Sequence, residues 1–368
     1  MASKNAIKQI AQYLRTLRIS SCRRILAKGR SMQTSGQWKS EGGDDVFASW
    51  EQSLYPNETL PESYDLNVSY VDTKPNEESR PSFPTATAVM VHGTPGTHND
   101  FKYIVPSLVE KKVPMRTLVP NIPGHGVTEA PATFRQSNDE RAEFLADFMA
   151  GIGLDRVDIM VGHSAGCYPL FKLAADDRYW TANGPLCKTM VLVNPSGSLA
   201  PHKGIRPYWW PRLFAKLQYT RFRLLVGWAR YLIWNYAVGL RVSSAVSMAG
   251  TDMVANFGLS QLPTYIKRLG TDPLTPRILM IYSEDDPLIE KERSEEIAVA
   301  LGIELEKIFI VFKAEDTEQA VDHVRAWWSS KDGCRHAAVA FGKGMGGHYL
   351  QKHQAAFVST CLEILVSK

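Results

Sequence analysis

A chain of 368 residues, 44% of them hydrophobic, holds enough apolar material for one core domain of roughly 250–280 residues plus an extension. Its five cysteines show neither CxxC nor regular spacing, which argues against a structural zinc site or a disulfide scaffold and for a reducing compartment. The most apolar run, 224–240, is too short for a membrane span and carries Arg230, so no spanning helix is expected.

The formal charge of +4 hides three regions. Residues 1–40 hold nine basic residues and no acid, whereas the remainder has 33 basic against 38 acidic. Ile7, Ile10, Leu14 and Leu17 fall on one helical stripe, with Lys4, Lys8, Arg15 and Arg18 among them. That composition predicts a mitochondrial transit peptide over 1–40. A plain basic tail on a cytoplasmic protein and a membrane-surface helix are the alternatives. Two Asn-x-Ser/Thr triplets, at Asn57 and Asn67, carry no weight without a secretory signal.

Residues 41–368 read as a single domain. After a polar stretch from Asn57 to Pro84, apolar β-branched runs alternate with helical patterns. Strands are expected at Ala86–Val91, Arg116–Ile122, Val157–Val161, Thr189–Asn194, Arg277–Tyr282 and Ala337–Phe341. Helices are expected at Asp100–Lys111, from the capping box Ser137–Glu140 through Met149, from Ser164 to Ala175, and at Gln354–Val366. Such alternation means a parallel sheet covered on both faces.

The strongest motif is Gly162-His163-Ser164-Ala165-Gly166, placed between a strand and a helix. A serine there sits on a turn tight enough to strain its backbone, and the flanking glycines let neighbouring chain pass. The motif in this context resembles the nucleophile elbow of the α/β-hydrolase superfamily, and the resemblance covers roughly residues 60–368. It implies a mostly parallel central sheet with helices on both faces and a helical cap inserted after the sixth strand, here about 198–272.

Three further matches follow in the family's order. His92-Gly93-Thr94-Pro95-Gly96 looks like the oxyanion loop, in which the amides of Thr94 and Ala165 would face the developing charge and His92 would brace the loop. Ser283-Glu284-Asp285-Asp286-Pro287 supplies the carboxylate that orients a histidine; the family spacing selects Asp286, with Asp285 as alternative. Gly346-Gly347-His348 supplies the base, with His336 and His353 as nearest rivals, while His125 and His163 have structural places. By this resemblance His348 takes the proton of Ser164 and Asp286 fixes its tautomer. Serine, rather than aspartate, at the elbow disfavours epoxide hydrolases and dehalogenases. No cofactor or metal motif is present.

The cap is distinctive. From Arg178 to Thr251 there are ten Lys/Arg and no acid, and five of the nine tryptophans. One helix over Arg212–Leu232 would set Arg212, Lys216, Arg223 and Arg230 on a narrow basic face and Leu213, Leu217, Leu224, Trp228, Tyr231 and Leu232 on the other. Two outcomes follow: an ordinary cap helix with a solvated basic face, or a surface for anionic lipid or an anionic acyl substrate. Arg221 falls on the apolar side without an evident partner. An insertion at 303–335, with elements at Ile308–Phe312 and Val321–Trp328, either narrows the pocket or forms a subunit contact.

The expected function is a serine hydrolase of carboxylic esters or thioesters with an apolar acyl group. An acyltransferase with the same triad is the alternative, and a non-catalytic binding protein on this fold is a third. Nucleic acid is not expected as a partner, because the basic residues lie in the extension and the aromatic cap.

Overall fold

The computed structural model describes residues 12–23, 63–73, 86–131, 134–196, 209–217, 221–237, 241–257, 261–330 and 335–367. Nine strands form one sheet in the order β1-β2-β4-β3-β5-β6-β7-β9-β8. They are β1 Leu14–Arg23, β2 Ser63–Asp72, β3 Ala86–Val91, β4 Met115–Pro120, β5 Val157–His163, β6 Cys187–Val193, β7 Arg277–Ser283, β8 Phe309–Val311 and β9 His336–Phe341. All pairings from β4 to β8 are parallel, while β1 and β2 join antiparallel at one edge. The architecture is the α/β-hydrolase fold.

Successive residues of a strand point to opposite faces, so a strand buried on both sides needs apolar residues at every position. In β3, Val89 and Val91 enter the core on one face while Ala88 and Met90 enter the core on the other. Helices α2 (Asn138–Gly151) and α3 (Cys167–Ala175) cover the first face with Phe144, Phe148, Leu170 and Phe171. Helices α1 (Ile104–Glu110) and α11 (Ala355–Val366) cover the second with Ile104, Leu108, Val358 and Leu362. Removing one such aromatic side chain, as in Phe148→Ala, would cost about 3–5 kcal/mol. The expected capping box is present: Ser137 Oγ accepts from the Glu140 amide, and Glu140 reaches back to the Ser137 amide.

The two outermost strands on the β1 side differ from expectation. Leu14 and Leu17, expected on a helical stripe, lie in β1, which pairs with β2 in the register Leu17↔Val68; Ile7 and Ile10 lie outside the described residues. β2 falls inside the stretch that looked merely polar, and its alternating Leu66, Val68 and Tyr70 are buried. The insertion 303–335 adds β8 beside β9 at the opposite edge, with α9 (Asp316–Ser329) packed behind it. It therefore widens the sheet.

Among the described residues between β6 and β7 there are four α-helices: α4 (Trp209–Leu217), α5 (Arg223–Leu232), α6 (Ser244–Ala255) and α7 (Leu262–Thr271). The single helix expected over Arg212–Leu232 is thus two. The last of the four, α7, returns to the main core through Tyr265, Ile266 and Leu269, so the cap proper is α4 to α6. After β7, α8 (Lys291–Ala300) flanks the sheet, and a short α10 (Leu350–His353) precedes α11.

Candidate active site

β5 runs into Ser164 with no intervening loop, and a single 3-10 turn, Ser164–Gly166, leads directly into α3. Ser164 has φ +50°, the left-handed region, which costs a non-glycine residue about 1–3 kcal/mol. A side chain at position 166 would sit 2.4 Å from the Val91 carbonyl oxygen, so the elbow passes β3 only with glycine there. Position 93 is equally constrained: a methyl group on Gly93 would lie 2.9 Å from Ser164 Cβ. The loop after β3 therefore lies directly against the serine. Thr94 follows Gly93 in that loop, and Ala165 is the middle residue of the turn, where a helix start leaves amides without intrahelical acceptors.

Asp286 and His348 are brought together. His348 Nδ1 lies 2.8 Å and 3.1 Å from the two carboxylate oxygens of Asp286. Asp286 Oδ1 also accepts from the amides of Leu288 and Ile289, which fixes the carboxylate. Asp285 has a different task. It accepts from Ser283 Oγ (2.5 Å) and from the amides of Gly344 (2.7 Å) and Gly347 (2.9 Å), tying the loop that carries His348 to the end of β7. Burial would raise the Asp285 pKa, but these hydrogen bonds hold it below the ordinary carboxylate range. Among the described residues no hydrogen bond joins Ser164 Oγ to His348, and no protein group binds His348 Nε2. Such a contact commonly tightens only when substrate is bound.

The other histidines are occupied elsewhere. His92 Nδ1 donates to the Gly93 carbonyl (2.7 Å), and its Nε2 accepts from the Ile122 amide (3.1 Å). Both nitrogens are used and burial pushes its pKa down to about 4, so it braces the oxyanion loop as a neutral ring. The Thr94 hydroxyl lies between Met253 Sδ (3.0 Å) and His125 Nε2 (3.3 Å), and burial pushes His125 down to about 3. His336 accepts from the Ile278 amide, and His353 reaches the Gly346 carbonyl. Neither rival approaches Asp286.

Several residues around the site carried no motif. Asn194, at φ +43°, donates through Nδ2 to the carbonyls of Gly347 (2.8 Å) and His348 (3.0 Å), and accepts from the Ser283 amide (2.9 Å). One side chain thereby joins the ends of β6 and β7 to the histidine loop. His163 donates from Nε2 to the His348 carbonyl (2.9 Å), so the residue before the serine also holds that loop. Asp100 stands 3.7 Å from His163 Nδ1 and 2.9 Å from Lys352 Nζ; burial opposes its ionisation, but His163 and Lys352 hold its carboxyl well below the usual range. Arg141 is fully buried beneath the elbow and donates to the Ala165 carbonyl (3.2 Å) and to Asn138 Oδ1 (2.5 Å). Burial draws its pKa down to about 10.

The space bounded by Thr94, His163, His348 and Tyr349 is about 10 Å³, room for about one water molecule. An acyl chain fits there only if the surrounding side chains or the cap move. A separate open cleft of about 1040 Å³ lies between α5, α6 and the 124–136 segment, and none of Ser164, Asp286 and His348 lines it. Among the described residues no three His, Cys, Asp or Glu side chains are grouped to hold a metal ion.

In the cap, Arg230 is buried, so it does not share the expected solvated face with Lys216 and Arg223. Arg221 stacks its guanidinium over the Phe222 ring at 5.1 Å, which gives it a partner.

The fold recurs in solved structures at low identity. Bromoperoxidase from Bacillus anthracis is 13% identical, with a TM-score of 0.52 over 83% of this chain and 97% of that one. A thermophilic esterase from Thermogutta terrifontis is 16% identical, with a TM-score of 0.52 over 83% and 94%. The enol-lactonase from Burkholderia xenovorans is 12% identical, with a TM-score of 0.52 over 82% and 97%. An uncharacterized protein of Caenorhabditis elegans is 28% identical over 309 residues, 81% of each chain. The model of a family described as "Alpha/beta hydrolase of unknown function (DUF1057)" matches residues 54–366, and the chain belongs to that family.

Proposed function

We infer that the protein hydrolyses carboxylic esters or thioesters with an apolar acyl group, through an acyl-enzyme on Ser164. The observation that carries this reading is the Asp286–His348 pair, with Nδ1 held at 2.8 Å beside a strained serine elbow. With Nδ1 committed to the carboxylate, Nε2 is the nitrogen left to accept a proton. His348 takes the Ser164 proton as Oγ attacks the acyl carbon, and Asp286 stabilises the imidazolium. The amides of Thr94 and Ala165 receive the oxyanion. The proton then passes from His348 to the leaving alcohol or thiol. A water, deprotonated by the same nitrogen, releases the acid and restores the serine.

A panel of p-nitrophenyl esters and acyl thioesters of rising chain length tests the reading. Turnover that rises with chain length and disappears in His348→Ala supports it. Absence of turnover on every ester and thioester, with correctly folded protein, overturns it.

A further inference from the structure

A helix lying on a soluble protein normally turns its apolar stripe inward and its polar stripe to water. α5 does the reverse. Leu224 is 82% exposed, Leu225 65% and Trp228 64%, while Arg230 is 4% exposed. Leu224, Trp228 and Tyr231 occupy one stripe at i, i+4 and i+7, and Val226 and Arg230 face inward. The outward surface continues onto Met248 of α6, which lines the same cleft as Leu224, Trp228 and Tyr231. Tyr236, just beyond α5, is 78% exposed. A patch of this kind on a soluble protein marks a contact surface.

Charge identifies what that surface meets. Lys216, Arg221, Arg223 and Arg241 are all exposed around the apolar stripe, and no acid occurs in sequence between Arg178 and Thr251. Among the described residues that line the cleft, two are acidic: Glu129, exposed on its far wall, and Asp252, which is buried. A second copy of the chain, packed two-fold on the same patch, would set one basic rim against the other. An acidic lipid surface meets both requirements: its acyl layer accepts leucine and tryptophan, and its headgroups accept lysine and arginine. Among the described residues no helix is long and apolar enough to cross a membrane.

We propose that α5 and its flanks are a peripheral docking surface for anionic lipid bilayers, with Leu224, Leu225, Trp228 and Tyr236 entering the acyl boundary and the basic rim resting on the headgroups. This goes beyond the ester-hydrolase reading and stands if that reading fails. Phosphate groups in solution would engage the rim but not the apolar stripe, so vesicles and free headgroups distinguish the two sources.

The test is co-sedimentation of the full chain with phosphatidylcholine vesicles, with and without phosphatidylserine, at low salt. The wild type should bind the anionic vesicles at least about tenfold more tightly than the neutral ones. Leu225→Ser with Tyr236→Ser should lower binding to anionic vesicles by roughly tenfold, with the thermal unfolding midpoint unchanged as the check on folding. Lys216→Glu with Arg241→Glu should remove the anionic preference and leave the weaker neutral binding in place. Soluble glycerophosphoserine should fail to compete. No sedimentation of the wild type with anionic vesicles overturns the proposal. So does a wild-type dimer in analytical ultracentrifugation that Leu225→Ser dissociates, since a second copy then covers the patch. Equal competition by glycerophosphoserine also overturns it, because the surface is then an anion site alone.

Discussion

The ends of the central strands and the cap solve opposite problems. At the ends of β5, β6, β7 and β9, the side chains that position the histidine are each held by several bonds: Asp286 by His348 and two amides, Asn194 by three backbone groups, Asp285 by one hydroxyl and two amides. In the cap, large apolar side chains of α5 face outward and a cation faces inward. The first region is preorganised, as chemistry on a serine requires. The second carries the outward apolar surface that we propose docks on an anionic bilayer.

The sharpest way to break this contrast is to remove the groups at the strand ends one at a time. Ser164→Ala should lower turnover roughly 10⁴–10⁶-fold, leaving only what the oxyanion hole and binding supply. Asp286→Asn should lower kcat by roughly 10³–10⁴-fold with little change in stability, since it leaves the histidine in the wrong tautomer. Asp285→Asn should cost only roughly tenfold in kcat but lower the unfolding midpoint, because its partners hold the histidine loop in place. Equal losses in the two aspartate variants would show that the roles given to the pair are wrong.

Three buried histidines predict a pH response. His92, His125 and His336 are buried with pKa values pushed down to about 4, about 3 and about 4 by desolvation. An unfolded histidine titrates near 6.5, so between pH 6.5 and 4 the unfolded chain binds more protons than the folded one. The stability from these neutral rings is complete above about pH 6.5 and is lost as pH falls through that window. Calorimetry should show the unfolding midpoint dropping steadily from pH 6.5 to 4, and a flat profile would contradict the buried, neutral state of these rings.

What was legible in the sequence divides along the same line. The elbow announced itself because one β-branched run ends in glycines around a serine, and Gly347-His348 stood out by following the last such run. Asn194, Asp100 and Arg141 gave no local signal, since their roles arise from partners on other elements, 154 residues away for Asn194 and His348 and 24 for Arg141 and Ala165. β1 misled for a related reason: Leu14 and Leu17 suit a helical stripe, and only pairing with β2 makes them a strand. The alternation of Leu66, Val68 and Tyr70 was a readable strand signal, masked by the Glu- and Pro-rich residues around it. In the cap, amphipathicity was readable but its orientation was not, because periodicity separates two faces without saying which one the core takes.

That edge gives the smallest effect. Deleting the chain through Arg23 strips β2 of its outer partner, leaving it paired with β4 alone, and removes the packing of Leu17 on the core. The unfolding midpoint should fall by about 2–6 °C, with turnover per folded molecule preserved. A larger loss, or loss of turnover, would mean that β1 supports the site itself.

The central claim is that Ser164 is the nucleophile, activated by His348 and Asp286. Its most direct test is mass-spectrometric mapping after reaction with a fluorophosphonate probe. The account predicts one covalent adduct, on the peptide containing Ser164, lost in Ser164→Ala and formed far more slowly in His348→Ala. An adduct on another residue, or undiminished labelling of Ser164→Ala, would contradict it.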